Sequence, residues 1–352
     1  MKTRFQKPVR NFKQRNTKCK FYIVPLLCAL LLAGCGARKP AASVTGTIFA
    51  MDTVMTLTVY GDEALLTEAE NSIHALESRL SVTDPDSEIY AVNRDGAGAV
   101  SEDTEELLSR ALALCAETGG ALDISIYPVS LAWGFTTGDY AVPDPETLSA
   151  LLERVDYTRV ALDGSAVTLA PGMEIDLGSV AKGYTGDRVL AQLRAAGVQS
   201  ALLDLGGNVQ TLGTKPDGSL WRVGVRDPAG EGMVGVVELA DKAVITSGGY
   251  ERCFERDGEL YWHILDPSTG CPARNGLISV TVIGDEGALC DGLSTALFVL
   301  GPERAAEFWR EHGGFELVLV DEAGDLLVTE GLEDSFTPMG DYRGAELTIL
   351  RK

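Results

Sequence analysis

The 352-residue chain is short of the residues from which many binding sites are made. It has only three histidines, and none of its seven cysteines forms a C-x-x-C pair, so the usual spacing for zinc ligands is missing. Positive charge is scarce as well. Eight of the 30 Lys and Arg residues fall before residue 35 and none of the 51 Asp and Glu do; the remainder of the chain carries a formal charge of −29. A surface that acidic excludes nucleic acid as a partner, since phosphate binding needs a basic patch, and it is repelled by anionic lipid. Any phosphorylated ligand must find positive charge locally, and a divalent cation is the economical source.

The basic residues cluster at the start. Met1 to Lys20 contains eight of them and no acid, Phe21 to Leu32 is apolar, and Leu32-Ala33-Gly34-Cys35 comes next. That order reads as a secretory signal, and the apolar run is short of the roughly 20 residues that span a bilayer. The L-A-G-C ending resembles a lipobox, which divides the chain into a lipoprotein signal peptide (1–34), a lipidated Cys35 with tether (35–43) and a body (44–350) outside the cytoplasm, held on the membrane by lipid. An uncleaved anchor, or an ordinary signal with an incidental Cys35, are the alternatives. Of the later cysteines, Cys253 and Cys271 are compatible with a bridge in such a compartment, free thiols being the other reading.

Glu174 to Asp187, EIDLGSVAKGYTGD, is the most informative stretch. A strand carrying Asp176 is expected to run through Gly178 and Ser179 into a helix from Val180 to Ala196, placing helix N–H groups beside Lys182 as a grip for phosphate. The G-x-x-x-x-G-K-[ST] spacing is absent there and no G-x-G-x-x-G run accompanies it, so a plain strand-to-helix turn with a surface lysine competes. Around it the spacing predicts strands over Gly46–Ala50 and Val54–Tyr60, then a helix from Asp62 to Leu80. A turn-rich loop from Ser81 leads toward Asn93, a helix capped by Ser101 runs to about Thr118, and Ala121 to Phe135 reads as a packed loop lining a pocket. A short helix at Asp144-Pro145 and a hairpin over Tyr157–Leu162 and Ala166–Ala170 precede the stretch. Strands with short connections dominate after Ser200, including Tyr250–Glu255 and Leu260–Leu265. Helices over Glu286–Leu300 and Pro302–His312 precede a hairpin at Phe315–Val320 and Leu326–Thr329. Short links favour antiparallel neighbours and an α+β class.

Three groups carry chemistry. Asp291 and Thr295, at i and i+4 on an otherwise apolar helix, put a carboxylate and a hydroxyl on one face, as Mg²⁺ requires, although such a pair also occurs on solvated faces. His263, in an aromatic strand end with Asp266 nearby, is a candidate general base or a satisfied core histidine. Thr246-Ser247-Gly248 and Leu205-Gly206-Gly207-Asn208 end strands in hydroxyls and glycines that let a ligand approach the backbone.

Taken in order, Met51-Asp52-Thr53, Ser81…Asp86-Ser87…Asn93, Gly120 to Asp123, Asp176 to Gly183, Leu205 to Asn208, Thr246 to Gly248, His263…Asp266-Pro267…Thr269-Gly270 and Asp291…Thr295-Ala296 resemble the ApbE family of FAD:protein FMN transferases. The resemblance implies a T-fold-like α+β body, largely antiparallel sheets flanked by helices, with a ligand cleft between two lobes. FAD, as substrate, would meet Met51, Thr83, Ala121, Leu122, Asp123, Asp176, Lys182, His263, Ile264 and Leu265. Mg²⁺ would be held by the Ser179 main-chain oxygen, Asp291, Thr295 and the Ser294 carbonyl, with His263, Lys182 and Asp291 as the catalytic set. The implied reaction moves FMN to a threonine hydroxyl of an acceptor flavoprotein in a membrane redox complex and releases AMP. Two positions depart from the family pattern: Asp52 replaces a usual glycine, and Thr83 replaces an aromatic that would stack on or shield the flavin. The second departure keeps open an FAD pyrophosphatase giving FMN and AMP, and a flavin-capturing lipoprotein without turnover is a further alternative.

Overall fold

The computed structural model describes residues 42–344 and 347–352. The signal segment 1–34, Cys35 and nearly all of the tether lie outside the described residues. β1 (Ser43–Ala50) and β2 (Thr53–Tyr60) form a hairpin through Met51 and Asp52, whose φ values of 48° and 59° suit the two-residue turns that match strand twist. α1 (Glu63–Leu80) buries Leu66, Ala69, Ile73, Leu76 and Leu80, the stripe set by their spacing. The expected loop to Asn93 instead contains α2 (Glu88–Asp95), begun by the Ser87 hydroxyl on the Tyr90 N–H and ended by Gly96. Only Ile89 and Val92 of it are buried, too few to leave a periodic signal.

β3 (Ala97–Ala99) and α3 (Glu102–Glu117) come next. The segment expected to be a packed loop holds a 3₁₀ turn at Ile124–Ile126 and α4 (Tyr127–Trp133), with Pro128 in the first turn, where its missing N–H is harmless. After these stand α5 (Pro145–Leu152), the hairpin β4 (Val160–Asp163) and β5 (Ala166–Leu169), and α6 (Gly178–Ala195). The strands β6 (Ala201–Asp204), β7 (Asn208–Leu212), β8 (Trp221–Arg226), β9 (Met233–Leu239) and β10 (Ala243–Gly248) are succeeded by a small hairpin, β11 (Cys253–Arg256) and β12 (Glu259–Trp262). The last part comprises β13 (Leu277–Gly284), α7 (Gly287–Leu300), α8 (Pro302–His312), β14 (Phe315–Asp321), β15 (Leu326–Thr329), β16 (Phe336–Pro338) and β17 (Thr348–Leu350).

Nine strands form one sheet in the order β1-β2-β6-β7-β10-β13-β14-β15-β17, antiparallel except where β15 meets β17. β16, β9 and β8 form a second sheet. Alternation along β14 explains the layering: Phe315, Leu317 and Leu319 join the core shared with α3, α6, α7 and α8, while Val318 and Val320 join the core shared with β8, β9 and β16. The central strands are thus covered on both faces, by helices on one and by the small sheet on the other. Among the described residues no helix is long and apolar enough to cross a membrane. Cys115, Cys253, Cys271 and Cys290 are all free thiols, the first and last buried.

Glu174 to Asp176 belongs to no sheet, contrary to the strand expected there. The Asn93 side chain does a strand's work instead, with Oδ1 accepting from the Ile175 N–H and Nδ2 donating to the Ile175 carbonyl, both at 2.8 Å. Downstream, α6 and α7 meet backbone to backbone. A Cβ on Gly183 would lie 2.1 Å from the Gly287 carbonyl oxygen, so no side chain fits at that crossing. Gly183→Ala is therefore expected to lower stability by about 2–3 kcal/mol, the upper part of the range for overpacking, measured as a fall in the urea midpoint at unchanged slope.

Candidate active site

The α6–α7 crossing brings two distant parts of the sequence together. Asp291, on α7, is only 5% exposed, and its Oδ2 accepts from the Gly183 N–H of α6 at 2.8 Å. In a regular helix that N–H would serve the Ser179 carbonyl, four residues back. Around Asp291 stand hydroxyls: Ser247 Oγ lies 2.8 Å from Ser294 Oγ and 3.3 Å from Thr295 Oγ1. Ser294 is fully buried and also donates to the Asp291 carbonyl.

Two cavities share Thr136, Asp176, Gly178, Lys182 and Arg252, and so form one cleft. Two chambers joined end to end suit an elongated ligand. One chamber is lined by Ala121, Leu122, Asp123, Ser179, Lys182, His263, Ile264, Leu265, Asp291 and Thr295, together with Asp176. The other takes Met51, Asp52 and Thr83, with Asp176 and Lys182 common to both. Of the residues expected from sequence only Ser294 is absent from the lining, sitting directly behind it.

Their chemical states differ. Burial pushes the Asp291 carboxyl up from its usual range, while Lys182 and the Gly183 N–H pull it down. The Asn208 amide also pulls it down, although its Nδ2 falls short of hydrogen-bond geometry with any described atom. A buried carboxylate with a single bonded N–H, beside hydroxyl and carbonyl oxygens, is a donor set for a hard cation such as Mg²⁺. Among the described residues no three His, Cys, Asp or Glu side chains cluster. Asp176 is raised by burial and lowered by its bond from the Gly178 N–H, 2.8 Å, and by Arg252 and Lys182. Asp123 spends its carboxylate on structure, Oδ1 accepting from the Ser125 N–H and hydroxyl and Oδ2 from the Tyr157 N–H.

His263 is held by its own N–H on the Arg252 carbonyl, and its ring meets Phe135 edge-on. Its Nδ1 is buried with no partner among the described residues. Burial first, then the charges of Arg252 and Lys182, lower the imidazole from 6.5 to about 3, so it is neutral. Asp266, the neighbouring carboxylate, lies outside the cleft and accepts from the Ser268 N–H and hydroxyl of its own turn.

Sequence reasoning missed Arg252 and Glu251. Neither belonged to a patterned motif; the signal available was a lone basic residue in so acidic a chain. Among the described residues, neither Arg252 nor Lys182 forms an ion pair. Two unpaired cations in an acidic protein, both at the junction of the chambers, mark where an anion fits.

Comparison with known proteins bears on that arrangement. The ApbE family model matches residues 51–319. The FAD:protein FMN transferase of Treponema pallidum is 33% identical over 347 residues, spanning 90% of this chain and 96% of its own, and that of Klebsiella pneumoniae is 34% identical over 287 residues, spanning 79% and 89%. Among solved structures, the ApbE protein of Thermotoga maritima superposes with a TM-score of 0.78 at 31% identity, covering 82% of this chain and 98% of its own. The flavinyl transferase ApbE of Pseudomonas stutzeri gives 0.73 at 32%, covering 81% and 93%. Agreement of sequence and fold over the very elements that build the cleft places this chain in the ApbE family.

Proposed function

We propose that this protein is an FAD:protein FMN transferase that moves FMN from FAD to a threonine hydroxyl of an acceptor flavoprotein and releases AMP. The observation that carries the reading is the buried Asp291 carboxylate set beside hydroxyls and two unpaired cations in one elongated cleft. Relatives that cover most of their own length in the match are named for that activity.

In the transfer, the acceptor oxygen forms a bond to the phosphorus on the riboflavin side of the diphosphate, and the bond from that phosphorus to the bridging oxygen breaks with AMP as leaving group. Asp291, Thr295 and the Ser179 and Ser294 carbonyls would hold Mg²⁺, which supplies charge neutralisation at the transferred phosphoryl group. Lys182 and Arg252 orient the diphosphate at the chamber junction. His263, in the lining of the cleft, takes the hydroxyl proton on its neutral imidazole. Although the imidazole is a weak base in the ligand-free protein, two of the causes are Arg252 and Lys182. Once those charges face phosphate they no longer oppose a proton on the ring, and its basicity rises.

The anchoring is proposed from sequence: a lipid on Cys35 holds the body outside the cytoplasm, where a membrane redox complex presents the acceptor. A second reading has one structural observation behind it. Thr83 is exposed on the rim of the chamber that Met51 and Asp52 line, its hydroxyl 3.2 Å from that of Ser81, so the rim carries no bulky lid there. Water entering by that route would give free FMN and AMP.

Asp291→Ala should reduce flavin labelling of the acceptor, followed as in-gel fluorescence, by about 10²-fold or more; equal labelling by both proteins would sink the metal assignment. Exchanging His263 for Ala should slow labelling about 10²–10⁴-fold. The wild-type ring should show no NMR titration between pH 8 and 5 without ligand. Its pKa is lower folded than unfolded, so its contribution to stability is complete above about 6.5 and is lost as pH falls toward 3. A further expectation concerns partition: Thr83→Tyr should raise the ratio of labelled acceptor to free FMN, measured by chromatography of the same reaction.

A further inference from the structure

We propose that Asp187, the last residue of the Glu174–Asp187 stretch, is a positioning residue that sets the cation-holding face of α7. It lies outside the lining of the cleft and touches no proposed ligand group. Its carboxylate spans to the start of α7 instead: Oδ1 accepts from the Gly287 N–H at 2.6 Å and Oδ2 from the Ala288 N–H at 2.9 Å. Glu286, at the helix's own N-cap position, makes no side-chain cap bond. The first donors of α7 are therefore satisfied by a residue of α6, a hundred positions earlier in the chain.

The partner contact runs the other way. One turn into α7, Asp291 accepts from Gly183, one turn before Asp187 on α6. Each helix thus sends a carboxylate to backbone N–H groups of the other, and Gln210 fixes the same turn by donating from Nε2 to the Gly183 carbonyl at 2.8 Å. Either contact alone would leave α7 free to pivot about it; together they fix its rotation and its slide along α6. A binding constellation tolerates displacements of only about 0.5 Å, so release of the first turn of α7 would misplace Asp291 and Thr295 without removing any group that contacts ligand. The charge is well placed too. Burial raises the Asp187 carboxyl to about 6 against the lowering effect of its two N–H donors and Arg110, so at neutral pH an anion sits at the positive end of α7.

The inference rests on the reading of α7 as the metal-holding face, and the test separates the two. Binding of Mn²⁺ to the ligand-free protein is measured by EPR titration for wild type, Asp187→Ala and Asp187→Asn. FAD affinity in EDTA and thermal melting are recorded on the same samples. The expected result is a loss of Mn²⁺ affinity of about tenfold or more for Asp187→Ala, with FAD affinity in EDTA within twofold of wild type. Asp187→Asn, which keeps one acceptor oxygen, should fall between. If wild type binds Mn²⁺ and the folded variants bind it within twofold as well, the inference is overturned even if melting falls, because Asp187 is then a cap and no more. If Asp187→Ala does not fold, the same criterion applied to Asp187→Asn decides. Wild-type protein that fails to bind Mn²⁺ overturns the metal reading of α7 and this inference with it.

Discussion

The cleft depends on one short contact, the bond from the Gly183 N–H to Asp291. A buried carboxylate is costly unless it is bonded or paired, and here one backbone donor offsets part of that cost while leaving oxygen free toward the cleft. The contact is possible only because α6 and α7 touch with no side chain between them at Gly183 and Gly287. Close packing of helices and placement of a charged ligand group are therefore the same requirement. The nine-stranded sheet serves it from behind, since β10 and β13 carry the apolar residues on which α7 rests.

The electrostatics depend on that frame. The chain is acidic after residue 34, and most of its described cations are occupied by carboxylates or aromatic rings. Lys182 and Arg252 are left facing the junction of the two chambers. Together with burial, the larger cause, they depress the imidazole of His263, and they oppose the burial that raises the carboxyl of Asp176. An acidic exterior also disfavours general adhesion to anionic surfaces.

Much of this is legible in the residues, for physical reasons that can be named. Long amphipathic helices such as α1 and α3 announce themselves by spacing, and antiparallel strands by alternation and short turns, so the α+β class is readable. Asp291 with Thr295 stands out because polar groups on an apolar helix require an explanation. Short elements are not legible: α2 buries two side chains, and α4 hides a proline in its first turn where the sequence pattern points to a loop. The segment at Ile175 reads as a strand and its backbone is bonded like one, yet the partner is the Asn93 side chain. Arg252 has no pattern at all, since its importance comes from what it fails to pair with. The reciprocal bonds of Asp187 and Asp291 join positions a hundred residues apart, and local spacing carries no record of them.

The rim and the seam of the cleft differ in how much change they can absorb. Along the seam, Gly183 and Gly287 admit nothing larger, Gln210 is 1% exposed, and each carboxylate already holds a backbone group. At the rim, Asp52 and Thr83 face open space on a hairpin turn and a surface loop, where substitution disturbs little packing. A change at the edge therefore alters the mouth of the cleft and leaves the α6–α7 contact alone, whereas a change in the seam reaches both helices at once.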